Sequence, residues 1–315
     1  MKPLGILLIV LLVNVCVYAD DNLSPDLSSP GSEAEKRHKA TIKRPKTRPR
    51  HQKTGKSITL TNLSPEQNKK IKYHEDPIMK DGVNLYLILY GLWTQDQVTI
   101  LQKFLGGLKG SPWYDIIVSK YYSGTARTKM SGEINLVTTY MDADSLNISA
   151  KTTKIISTEA DFQQIIQNAI NGNNVADDPD NGLYLLLFSN KLDATNDLTI
   201  KGFCGWCGYH WGWNWTSPNN NSGYYKYAVV PNHITCLDCT GQDVSSPNGD
   251  IGVDGMIDTL AHEIVEAATD SLEGWYTNAT GSENADKCSF VYFSTGETKT
   301  QIADGSKKVL IITLI

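Results

Sequence analysis

The chain has 315 residues, 40% of them hydrophobic, and a formal net charge of −5. That length supports at least one domain with a full hydrophobic core, and the acidic body argues against nucleic acid as a partner. Beyond the N-terminus, no apolar run reaches the ~20 residues that a membrane span needs.

The chain opens with Lys2 and the apolar run "LGILLIVLLVNVCV", followed by the small residues Val17 and Ala19 before Asp20. This is the pattern of a secretory signal peptide over residues 1–19, with an N-terminal anchor as the other reading. Residues 20–72 read as a linker or pro-segment. From Lys36 to Lys56 it carries ten Lys or Arg and no acid. With almost nothing apolar to bury, this arm is expected to be disordered. Its charge suits anionic polysaccharide or phospholipid, but also suits a solvated, proteolytically processed segment.

An exported chain is expected to be oxidised. Cys16 leaves with the signal, so the disulfide candidates are Cys204, Cys207, Cys236, Cys239 and Cys288. Five is odd, so one lacks a partner. Two C-x2-C pairs can also hold structural zinc, but 28 residues separate them here. The usual spacing is about 15–20. Asn22, Asn62, Asn147, Asn214, Asn220 and Asn278 each begin an N-x-S/T glycosylation acceptor.

From Tyr73 to the C-terminus the sequence reads as one α/β domain, a mixed sheet with packed helices. "VNLYLILY" (Val83–Tyr90) is a continuous apolar run and predicts a buried strand. After Thr94, an N-cap candidate, Val98, Leu101, Leu105 and Leu108 recur at helical spacing. "WYDIIVSKYY" predicts a second helix and "EINLVTTYMD" a strand. "TEADFQQIIQNAIN" predicts a helix capped by Thr158, and "GLYLLLFS" another buried strand. "WGWNW" puts Trp211, Trp213 and Trp215 on one side of a strand, where indoles either stack on sugar rings or face the core. "YKYAVVP" predicts a further strand.

The last helix carries the chemistry. It begins after the turn "PNGD", with Asp254 as the N-cap candidate. Ile257, Leu260, Ala261, Ile264, Val265 and Ala268 form an apolar stripe. His262 and Glu266, four apart, share the opposite face, and Glu263 is displaced by about 100°. A zinc helix places two ligands one turn apart, with a neighbouring carboxylate as general base on metal-bound water. His262 and Glu266 would be the ligands and Glu263 the base. A solvated face of an amphipathic helix has the same pattern, so spacing alone does not decide. A third ligand could come from Glu283 or Asp286 in "GSENADKC", or from His210 in "FCGWCGYHW".

Taken in order, "YHEDPIM", "VNLYLILYGLW", "FCGWCGYH", "PNGDIGVDGMIDTLAHEIVEAATD", "GWY" and "ENADKC" resemble the phosphate-induced protein or EXORDIUM family of secreted plant proteins. The resemblance runs from Tyr73 to the C-terminus. It implies an extracellular or cell-wall location and a role in growth control. The family's segment at His262, Glu263 and Glu266 resembles a variant zincin motif, and its acid–Cys motif falls on Glu283, Asp286 and Cys288. Family members usually have Gly-Gly at Glu75-Asp76 and cysteine pairs one residue wider. They also continue past "KKVLIITLI" to a further Cys, which would account for the odd count.

Two functions follow. The first is a zinc-dependent hydrolase acting on peptides, with metal on His262, Glu266 and Asp286 and Glu263 as base. The second is a non-catalytic extracellular protein that binds wall polysaccharide or a protein receptor. No nucleophile elbow or P-loop is present.

Overall fold

A computed structural model describes residues 70–153, 155–240, 246, 248–278 and 281–286, together with the backbone of three further strands at 41–43, 299–303 and 308–312. The proposed signal peptide, the basic arm apart from 41–43, Asn22, Asn62 and Cys288 lie outside the described residues.

Six strands form the main sheet: β1 (Thr41–Lys43), β2 (Val83–Tyr90), β3 (Ile134–Asp142), β4 (Gly182–Phe188), β5 (Trp206–Thr216) and β6 (Ser222–Pro231). Their spatial order is β1-β5-β6-β4-β2-β3. Strands β3, β2, β4 and β6 run parallel, and β5 is antiparallel to β6. Parallel strands need helical crossovers that cover both faces, which is why β2 and β4 are apolar throughout rather than alternating.

The helices are α1 (Gln95–Gly106), α2 (Pro112–Lys120), α3 (Glu159–Asn171) and α4 (Ile251–Asp270). Thr94 and Thr158 cap α1 and α3, each in a reciprocal capping box. Helix α2 starts on Ser111 and Pro112 and stops before Tyr121, short of the predicted "KYY" end. Tyr122 instead pairs in a two-residue strand with Lys129.

The pleat sorts the core into two halves. Leu85, Leu87 and Leu89 with Leu183, Leu185 and Leu187 face α1, α2 and α4. Tyr86, Ile88, Tyr90, Tyr184, Leu186 and Phe188 face α3. The result is a three-layer α/β/α domain.

Helix α4 differs from expectation in two ways. Asp250, not Asp254, is its N-cap, accepting from the Val253 N–H. Asp254 already lies in the first turn and accepts from Asn248. The polar face is not solvated either: α4 is enclosed along nearly its whole length. Its apolar stripe packs into the first core, and its polar face meets β5 and β6. The end of α4 is closed by the N-terminal part of the domain. The Met79 N–H donates to Ala268, and Trp275–Tyr276 pairs with Lys72–Tyr73.

Candidate metal centre

Three parts of the chain meet at the polar face of α4. The helix supplies His262, Glu263 and Glu266, strand β5 supplies His210, and the 281–286 loop supplies Glu283 and Asp286. Backbone bonds hold that loop. The Asp286 N–H donates to Glu266 Oε1 at 2.9 Å, and the Glu283 N–H to Asp286 Oδ2 at 3.3 Å. Asn284 Nδ2 donates to Thr269 Oγ1 at 3.0 Å, one helical turn from Glu266. His210 reaches the helix because alternate residues of β5 point to the α4 side. Gly208 on the same face lets the helix approach. A Cβ there would lie 2.4 Å from Thr259 Cγ2 and 3.3 Å from Glu263 Oε1.

The functional atoms converge. His262 Nε2 lies 3.0 Å from Glu266 Oε2 and 3.7 Å from Asp286 Oδ1. His210 Nε2 lies 3.2 Å from Glu283 Oε2 and 3.9 Å from Glu266 Oε2. Two triads have donor atoms within 4.8 Å of one another: His262, Glu266 and Asp286, and His210, Glu263 and Glu266. His262 is 7% exposed, and Glu263 and Glu266 are 0% exposed. His262 Nε2, both Glu263 oxygens and Glu266 Oε2 make no hydrogen bond. The 3.0 Å approach of His262 to Glu266 is an ion pair.

Orphaned buried polar atoms cost about 1–3 kcal/mol each, more for charged groups. The two Glu263 oxygens, which among the described residues have neither a hydrogen bond nor an ion pair, call for a partner of another kind. Imidazole nitrogens and carboxylate oxygens in this ratio suit a divalent cation such as zinc. Among the described residues the ion pairs of these carboxylates are with His210 and His262 alone, with no lysine or arginine.

The electrostatics follow from that crowding. Burial raises Glu263 well above the usual carboxylate range, and Glu266 and Asp286 push it further. Burial likewise raises Glu266, with Asp286 adding to it. Glu283 rises through burial and then through Glu266 and Asp286. Burial draws the His262 imidazole down, but Glu266, Asp286 and Glu263 outweigh it and hold the ring well above its ordinary value. His210 stays below its ordinary value because burial dominates.

All six site residues singled out in the sequence thus meet in one place. Cys288 lies outside the described residues. Trp211, Trp213 and Trp215 sit on the opposite face of β5, half-buried beside the second core. Trp213 and Trp215 stack at 6.3 Å, and Trp213 packs on Tyr225 and Tyr227. Cys204 pairs with Cys236 and Cys207 with Cys239, with Cα separations of 5.5 and 5.4 Å. These bridges take the place of a four-cysteine zinc site.

Sequence reasoning missed Asp270. It is buried behind Glu283, with its carboxyl raised by burial and by Glu283, and it accepts from the Trp275 N–H at 2.9 Å. Its place four residues after Glu266, on the same helix face, was the available signal.

The model of the phosphate-induced protein 1 conserved region matches residues 71–302. The chain belongs to the phosphate-induced protein 1 family. It is 28% identical to "Protein EXORDIUM-like 3" of Arabidopsis thaliana over 72% of this chain and 71% of that protein. It is 25% identical to "Protein EXORDIUM-like 5" of the same plant, over 86% and 76%. Identity to "Protein PHOSPHATE-INDUCED 1" of Nicotiana tabacum is 24%, over 75% and 77%. No solved structure matches the chain. The match to the family model spans both walls of the candidate centre, from before β2 to beyond Asp286.

Proposed function

We propose that this member of the phosphate-induced protein 1 family is a secreted, metal-dependent hydrolase of the peptidase type. The observation that carries the reading is Glu263. Its carboxyl is fully buried, both oxygens are unpartnered, and it stands beside the donors of His210 and Glu266. In this reading His262, Glu266 and Asp286 hold the ion. A bound zinc ion acidifies water and polarises a carbonyl. Glu263 would take the proton released there and pass it to the leaving group, the general-base role of a carboxylate beside the ion. Asn284 and Thr269 keep Asp286 facing His262 by fixing its loop. Secretion is supported by the N-terminal signal pattern and the two disulfides. Asn147, Asn214, Asn220 and Asn278, the glycosylation acceptors among the described residues, are all exposed. No helix among the described residues is long and apolar enough to cross a membrane.

The test is metal content, by elemental mass spectrometry on protein secreted and purified without chelator. Bound zinc should vanish in His262→Ala and Glu266→Ala with the fold intact. Peptide turnover should fall by at least about 100-fold in Glu263→Gln, the scale of general-base catalysis. Wild-type protein that takes up no metal when zinc is supplied overturns the reading. A second reading, binding of wall polysaccharide without catalysis, draws on the stacked, half-exposed Trp213 and Trp215. Sugar binding lost in Trp213→Ala, with no turnover in the wild type, would favour it.

A further inference from the structure

The two donor triads share one residue, Glu266, and this points beyond a single ion. His262, Glu266 and Asp286 form one group and His210, Glu263 and Glu266 the other, and both histidines approach Glu266 Oε2. We infer that the site takes two divalent cations, one in each triad, with Glu266 between them as the bridging ligand. This rests on the metal-centre reading above and extends it.

Three observations carry the inference. The first is the donor set itself. A lone ion on His262, Glu266 and Asp286 leaves the Glu263 oxygens with water alone, whereas a second ion would bind that carboxylate directly. The second is charge. Glu263, Glu266, Glu283 and Asp286 bring four carboxylates to one buried site, with Asp270 behind Glu283. Among the described residues none of these four pairs with lysine or arginine. One divalent cation balances half of the four, and two balance them all. The third is His210. Its Nε2 faces the carboxylates of both Glu266 and Glu283, at 3.9 and 3.2 Å, although His210 comes from a different element than the helix motif. In a one-ion centre on the helix and loop, His210 serves only its hydrogen bond with Glu283. Paired ions sharing a carboxylate typically sit about 3.5–4 Å apart, a span that one glutamate bridges. In the two-ion state Glu263 is a ligand of the second ion, and this replaces the general-base role given to it above.

The test is stoichiometry. The full secreted chain is loaded with zinc, freed of excess metal, and its zinc per chain is counted by elemental mass spectrometry. Two ions per chain are expected in the wild type, one in His210→Ala, one in Asp286→Ala and none in Glu266→Gln. Loading with manganese gives a second readout, because two manganese ions sharing a carboxylate produce an exchange-coupled electron paramagnetic resonance signal. One ion per chain, with an uncoupled spectrum, overturns the second site and leaves the proposed function standing. No ion at all overturns both. Two ions that persist in His210→Ala would place the second ion elsewhere and also overturn the inference. The wild-type count and spectrum decide the matter even if a variant fails to fold.

Discussion

His233 shows how much one buried side chain can couple this molecule to pH. It is fully buried, contacts the Cys207 carbonyl through Nε2 at 3.2 Å, and packs on Phe203. Burial holds its imidazole down at about 4. The unfolded ring takes its proton near pH 6.5, so between those values the unfolded state binds more protons. Stability from this group is present above pH 6.5 and is lost as the pH falls toward 4, by up to about 3 kcal/mol. Urea titrations at pH 7 and pH 4.5 should show a smaller loss on acidification in His233→Gln than in the wild type, and equal losses would contradict the assignment. The sequence marked His262 and Glu266 through their spacing, but nothing local distinguishes His233, because its burial comes from long-range packing. Glu75 adds a residue-level detail. It adopts φ 69°, the left-handed region where glycine is at ease, at a position where the resembled family has Gly.

At the level of elements, α4 and β5 make the centre by close approach. Gly208 allows it from the strand side. Gly252 and Gly255 do the same near the start of the helix, where added Cβ atoms would meet Asn232 Oδ1 at 2.1 Å and His233 Nδ1 at 2.9 Å. Gly208→Ala should therefore destabilise the fold by about 1–3 kcal/mol, the usual range for overpacking. It should also lower zinc occupancy, because the methyl group displaces the segment that carries Thr259 and Glu263. Denaturation midpoints equal to those of the wild type would show that the contact at Gly208 is loose. The capped helices and buried strands were legible because Thr94, Thr158 and the apolar runs act locally. The start of α4 was misread because Asp250 and Asp254 both fit a cap, and the side chain of Asp254 instead bonds to Asn248. The polar face of α4 was ambiguous because a face that meets a strand and a face that meets water have the same period.

For the molecule as a whole, an ion held at the proposed site would be part of the folding free energy, since the site exists in the folded state alone. Chelation of purified protein should therefore lower the melting temperature, and added zinc should restore it. At a free ion concentration 100 times the dissociation constant, the stabilisation is about 2.7 kcal/mol. A melting curve unmoved by chelator would mean that the buried carboxylates are balanced by other means. The α/β class was readable from alternating elements, whereas the order of strands was not, because β4 joins the far side of β2 from β3 and that choice leaves no local mark. The loop with Glu283 and Asp286 was readable as acidic, but its return to α4 depends on contacts made 20 residues back in the chain, such as that of Asp286 with Glu266.

The two disulfides are in register. Cys204 and Cys207 on one side meet Cys236 and Cys239 on the other, and both bridges span the same separation of 32 residues. A single bridge leaves a swivel, since the joined segments can still rotate about it. Two parallel bridges remove that freedom, as two screws fix a bracket that one would let turn. His210 lies three residues beyond the second bridge on its strand, and α4 begins shortly after the other end. The start of the strand that carries His210 is thus fixed to the 236–239 segment by covalent bonds as well as by packing.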